Sequence, residues 1–269
     1  MIAKLTKYEF RSCIKIMSVL WYSLIAISIL FSVSKTFNTV AAHRSPSDFI
    51  SYIIATVSLI LYGLLVSALV VVGVTIIIQR FNNSLLGDEG YLMNTLPVKK
   101  WQLITSKGII ALFNICASII VIIISVLILN RENIVKDFIG IAAEFNANHS
   151  LYYLMPEALI LMILGILVFI YQIYASISIG QLFNKYRVLA AVAAFILINI
   201  VLTTIGTILT NLFDNNRAFY DFYVFISNGN HTLLGQQVLL LIVFIIEAAL
   251  IVIYHIITDR ILTKRLNLL

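Results

Sequence analysis

Residues 49–78 read FISYIIATVSLILYGLLVSALVVVGVTIII, 30 residues without a single charge. At about 1.5 Å per residue, a helix of this length outruns the roughly 30 Å hydrocarbon core of a bilayer. It must therefore tilt or project beyond the membrane. The chain then changes character abruptly: residues 80–107 read RFNNSLLGDEGYLMNTLPVKKWQLITSK. Asp88 and Glu89 sit between Gly87 and Gly90, followed by Pro97 and a basic-aromatic cluster of Lys99, Lys100 and Trp101. Asn82, Asn83 or Ser84 can cap a brief amphipathic helix through Leu85 and Leu86, which Gly87 and Gly90 would cut short. Tyr91, Leu92, Met93 and Leu96 give the next piece an adhesive face. Pro97 suits the first turn of a following helix, where its missing N–H costs nothing. A solvated connector is the simplest reading of such a stretch. Large apolar side chains alternating with charged ones argue instead for a surface that docks something.

Composition sets the class of the whole chain. Of its 269 residues, 61% are hydrophobic and 11% charged, whereas about a quarter of a soluble domain is charged. The expected fold is all-α: a single transmembrane domain over residues 1–269 with six spans. The formal charge of +6 does not point to nucleic acid, because the basic residues flank apolar runs rather than sharing one soluble face.

Residues 1–15 form a basic amphipathic lead-in, with Lys4, Lys7, Arg11 and Lys15 among Ile2, Leu5, Tyr8 and Phe10. This pattern predicts a short interfacial helix. The apolar run at 16–33 exceeds the usual signal-peptide core and reads as an uncleaved first span. The further spans fall at about 49–78, 108–129, 158–179, 188–209 and 238–257, with 79–107 as the loop between the second and third. Gly63 and Ser67, four apart, suit a close helix approach. Between the third and fourth spans Ile134, Val135, Phe138, Ile139, Ala142 and Phe145 recur at helical spacing and predict a helix on the membrane surface. The aromatic run at 219–226 is too short to span and reads as half-inserted or re-entrant.

Thirteen of the 18 Lys and Arg fall in the lead-in, the loops after spans two and four, and the C-terminal tail. The positive-inside rule then puts both termini and residues 80–107 in the cytosol.

The pattern RF-x-N-x-L-x-G-D-E-G-Y-L-M-x-T-L-P-V, Arg80 to Val98, resembles the loop between the second and third membrane helices of bacterial type-two ABC exporter permeases. The resemblance covers residues 80–107, about a tenth of the chain. It implies that this loop forms a coupling helix resting on a separate cytosolic ABC ATP-binding subunit. Leu86, Gly87, Asp88, Glu89, Gly90, Tyr91, Leu92 and Leu96 would lie at that contact. It also implies a multi-pass protein of the bacterial plasma membrane that works with a second permease copy or a sister permease. It supplies no substrate.

No G-x-x-x-x-G-K-[ST] occurs, so this chain has no P-loop for ATP, and the nucleotide would be held by the partner. There is no H-E-x-x-H or G-x-S-x-G, the four histidines are scattered, and nothing suggests a metal site, a resident cofactor or an enzyme. Cys13 and Cys116 lie in the lead-in and the third span, which disfavours a disulfide between them. Two features inside the spans stand out. Glu247, the only acid well inside an expected span, is costly there, by about 2.5–3.5 kcal/mol for such charges on insertion scales. It should be paired, protonated or facing water, either as a pathway group or as a carboxyl hydrogen-bonded to a neighbouring helix. Asn199, Thr203, Gly206, Thr207 and Thr210 make a polar stripe on the fifth span, which would line a path or hold helices together.

These features favour a permease subunit that couples a separate ATPase to efflux of an amphipathic substrate, such as a peptide antibiotic, drug or lipid. The alternative is a self-contained secondary carrier or channel with Glu247 as its coupling acid. Against it, the six spans show no obvious pair of matched halves.

Overall fold

The structure, a computed structural model, describes residues 2–41, 48–85, 99–130, 136, 139–141, 143, 151–183, 185–215 and 232–264. Six long helices account for nearly all of them: α1 (Ile2–Ala41), α2 (Asp48–Leu85), α3 (Lys100–Leu129), α4 (Leu151–Gly180), α5 (Arg187–Asn215) and α6 (Thr232–Lys264). Each contains a stretch long and apolar enough to cross a membrane, and there is no strand among the described residues. The protein is thus an all-α, multi-pass membrane protein.

Several helices run past the expected spans. Lead-in and first span share one continuous helix, α1, because no Gly or Pro separates them. Helix α3 starts at Lys100 rather than near Gly108, and its polar first turns are packed, with Leu103, Ile104, Ser106 and Lys107 all buried. Helix α4 starts at Leu151 and takes in Pro156. A proline at this depth forfeits the bond to the carbonyl four residues back and sets its ring against that carbonyl. The extension also brings Glu157 into an apolar helix, so Glu247 is not alone there. Of the expected surface helix, residues 139–141 are helical, with Ile139 and Ile141 exposed. Its other marker residues, the aromatic run at 219–226, and Pro97 lie outside the described residues.

The chain divides into two compact units. The first comprises Met1–Arg80 and Ile109–Ala147. Its core is formed by Cys13, Met17, Ile76 and Ile110, with Leu20, Trp21 and Val72 packed against it. Phe10 meets Phe113 edge-on at 4.9 Å between ring centroids. Lipid is as apolar as leucine, so helices in a membrane are held by packing and by polar side-chain bonds. Such bonds occur in this unit. Trp21 Nε1 donates to Ser118 Oγ (3.1 Å), and the Tyr62 hydroxyl pairs with Ser125 Oγ (2.8 Å). Both serines also donate to carbonyls of their own helix, which leaves Tyr62 as the donor of its pair. A Cβ on Gly63, by contrast, would have nothing within 4 Å, and Ser67 Oγ bonds back to Leu64 O, so that pair meets no helix among the described residues. Cys13 and Cys116 form no disulfide.

The second unit comprises Phe81–Gly108 and Asn148–Leu269. Helix α4 is its centre and packs against both α5 and α6. A third of the apolar window of α4 is buried, against 6% for α5 and for α6, and 170–178 is an unbroken buried run. The faces of α5 and α6 left exposed are dominated by Ile, Leu and Val, the surface a bilayer covers. Gly165 lies against Glu247, and Tyr171 against His255. Residue numbers rise together along the two helices, so α4 and α6 run parallel, as spans two apart must.

Candidate functional site

The residues expected to touch an ATPase, Leu86, Gly87, Asp88, Glu89, Gly90, Tyr91, Leu92 and Leu96, lie outside the described residues. Their two flanks are described, and both belong to the second unit. On the entering side, Phe81 is wholly buried and stacks on Tyr174 of α4, with centroids 4.2 Å apart and planes 14° apart. Such a pair contributes roughly 0.5–1.5 kcal/mol beyond the area it buries. Next to it, Asn82 Oδ1 accepts a long bond of 3.5 Å from Gln181 Nε2, just past the end of α4. On the leaving side, the Lys100 ammonium donates to the carbonyl of Leu262, in the last turn of α6. A cation there meets the negative end of the helix dipole, an interaction of about 0.3–1 kcal/mol near a surface. Gly108, two turns further on, faces the ring of Tyr171: a Cβ there would lie 3.0 Å from the phenol oxygen and 3.3 Å from Cζ.

The connection between α2 and α3 is therefore tied at both ends to the α4–α5–α6 group. The end of α2, the start of α3, the α4–α5 turn and the end of α6 meet at one end of the second unit. The segments converging there are the ones whose Lys and Arg dominate the charge asymmetry of the sequence: Lys99, Lys100, Lys107, Lys185, Arg187, Arg260 and Lys264.

Glu247 lies on α6 opposite Gly165. A Cβ on Gly165 would sit 3.4 Å from its Oε1, so the carboxyl rests against the α4 backbone at the point where that helix has no side chain. Oε2 is buried and has no hydrogen-bond partner among the described residues, and the same holds for Oε2 of Glu157 on α4. Of the two roles left open for this carboxyl, a hydrogen bond to a neighbouring helix is not made by Oε2 among the described residues. The α5 stripe also resolves differently from a set of interhelical bonds. Asn199 Nδ2 donates to Phe195 O (2.8 Å), Thr203 Oγ1 to Asn199 O (2.9 Å), Thr207 Oγ1 to Thr204 O and Thr210 Oγ1 to Thr207 O (both 2.9 Å). These bonds all close on the α5 backbone. The threonines are exposed, and Gly206 has nothing within 4 Å. Hydroxyls satisfied in this way can face lipid without an orphaned donor. No group of three His, Cys, Asp or Glu suited to a metal ion occurs among the described residues.

Comparison with family models, curated proteins and solved structures finds no match.

The sequence gives little warning of the residues that tie the connection down. Phe81 and Tyr174 are 93 positions apart, and aromatic residues abound on every span. Gly108, two turns into α3, and Gly180, at the end of α4, carry the better signal. Each marks a close approach: a Cβ on Gly180 would lie 2.6 Å from the Arg187 carbonyl.

Glu247→Gln tests which role the carboxyl fills. The amide matches its shape and carries no charge, so a packing group predicts unchanged membrane abundance and unchanged transport. For the transport role expected from the sequence, a loss above tenfold at normal abundance would assign Glu247 to the pathway.

Proposed function

We propose that this chain is the membrane subunit of an ATP-driven exporter, with its α2–α3 connection docking a separate cytosolic ATP-binding subunit and both termini in the cytosol of a bacterial cell. The observation that carries the reading is the double anchoring of that connection on α4 and α6, through Phe81–Tyr174 on one flank and Lys100–Leu262 on the other. A solvated linker has no need of such ties. An element that passes motion from an ATPase to membrane helices does, because a slack connection would absorb the stroke. The acidic-aromatic composition of residues 86–96 suits a protein dock, and the ATP would be bound on the partner. The translocation path would be completed by a second copy or a sister subunit. The apolar helix surfaces suit an amphipathic cargo such as a peptide antibiotic, drug or lipid.

The unpartnered Oε2 of Glu247 favours one second reading, a secondary carrier with that carboxyl as its coupling acid. The two readings differ in what accompanies the chain. Purified gently from its native membrane, an exporter subunit brings an ATP-binding protein in fixed stoichiometry, and a carrier brings none. Orientation is tested separately. A reporter fused after Leu269 is expected to be active in the cytosol only, and one inserted near Asn146 outside only. The opposite labelling would remove the proposed dock from the ATPase side.

A further inference from the structure

Four aromatic rings in the second unit form an unbroken series. Phe81 stacks on Tyr174 at 4.2 Å, Tyr174 meets Tyr171 edge-on at 6.0 Å, and Tyr171 meets His255 edge-on at 5.5 Å. The series starts on the last turns of α2, where the chain leaves for the docking segment, crosses α4, and ends on α6. It is confined along its length. Phe81, Tyr174 and Tyr171 are all buried. Tyr171 is held on its far side by α3, where only the absent side chain of Gly108 leaves room for its hydroxyl. Rings at van der Waals contact in a close-packed interior cannot be pushed together, so shifting one obliges its neighbour to shift or to change rotamer. His255 stands two turns beyond Glu247 and two turns before Leu262, which takes the Lys100 ammonium. Both flanks of the connection thus converge on the same length of α6.

We propose that Phe81, Tyr174, Tyr171 and His255 are positioning residues that pass movement of the α2–α3 connection to α6, with Gly108 as the socket that keeps Tyr171 in line. This rests on the exporter reading for the source of the movement, though not for the linkage itself. Coupling of this kind is reciprocal: whatever loosens the α2 end must be felt on α6, and the reverse.

The linkage is tested on the full chain in lipid nanodiscs by backbone hydrogen exchange. Phe81→Leu, which keeps an apolar side chain and removes the ring, is expected to speed exchange across residues 250–262 at least threefold. Phe195→Leu is the control, because that ring meets Phe169 edge-on, 6.4 Å between centroids, and lies off the series. Unchanged exchange at 250–262 in Phe81→Leu, or an equal rise in Phe195→Leu, overturns the proposal. Should Phe81→Leu fail to accumulate, His255→Leu serves in the reverse direction. It is expected to speed exchange at 76–85, and His255→Phe, which restores a ring, to return it to the wild-type rate. Failure of that rescue also counts against the series. The last arm adds the ATPase. A non-hydrolysable ATP analogue should alter exchange at 250–262 in the wild-type complex and cease to do so in Phe81→Leu with the ATPase still bound. An undiminished response there overturns the role in coupling. If no ATPase accompanies the wild-type chain, the exporter reading falls, while the first two arms still decide whether the rings link α2 to α6.

Discussion

Gly180→Ala is expected to cut the yield of folded protein several-fold and to lower its thermal midpoint clearly, although it adds one methyl group. The reason is space alone. The added Cβ would lie 2.6 Å from the carbonyl oxygen of Arg187, 2.7 Å from Cβ of Ala191 and 2.8 Å from its backbone nitrogen. Two of these neighbours are backbone of α5, at the tight crossing that follows the turn. The turn is pinned in turn by bonds from the nitrogens of Gln181, Leu182 and Phe183 to Ile177, Ile179 and Gly180. Neither side can yield without moving a helix, and overpacking of this kind typically costs about 1–3 kcal/mol. Gly73→Ala is the matched control. There the nearest atom is the terminal methyl of Met17 at 3.1 Å, the free end of a flexible side chain. It can swing aside at little cost, as methionine does in irregular gaps. Size-exclusion profiles and thermal midpoints in one detergent would compare the two. Equal midpoints would mean that the α4–α5 crossing is looser than the structure gives.

The existence and order of the six helices were legible because length and hydropathy are enough to recognise a span. Residues 49–78 or 108–129 need no tertiary context. The starts of α3 and α4 were not legible, because tertiary packing decides them. Lys100–Lys107 and Leu151–Glu157 read as loop by composition. Yet Ser106 and Lys107 are buried, and the helix is carried through them. Glu247 was visible as a lone charge in an apolar run, and the α5 stripe as a periodicity. Sequence could not tell that the threonines would bond to their own helix, since periodicity fixes a face and not what meets it. The tie between Phe81 and Tyr174 was invisible for a related reason: among 16 Phe and 13 Tyr, only three-dimensional contact selects the pair.

On the exporter reading proposed above, the double variant Tyr91→Ala/Leu92→Ala is expected to release the ATPase almost completely while leaving the chain in the membrane. Asp88→Asn and Glu89→Gln are expected to weaken retention severalfold at most. The difference follows from where binding energy resides in protein interfaces. A few large aromatic or aliphatic side chains seated in dry pockets supply most of it, and truncating one commonly costs 2 kcal/mol or more, roughly a thirtyfold change in affinity. Peripheral charges contribute more to steering and register than to holding. Residues 86–96 contain both kinds in close sequence, with the acidic pair between two glycines and the apolar group immediately after. The anchors that fix this connection to the rest of the chain, Phe81 and Lys100, lie outside the altered positions. The double variant should therefore remove the dock and leave its mounting intact. The measurement is co-purification of the ATP-binding subunit with each variant, normalised to membrane abundance of this chain. Loss of both signals together would mean misfolding, which Tyr91→Phe distinguishes by restoring an aromatic anchor at that site. A double variant that stays abundant and retains its ATPase at wild-type stoichiometry would move the principal dock elsewhere. The remaining basic segments at the same end of the second unit, the α4–α5 turn with Lys185 and the end of α6 with Arg260, would then be the surfaces to truncate next.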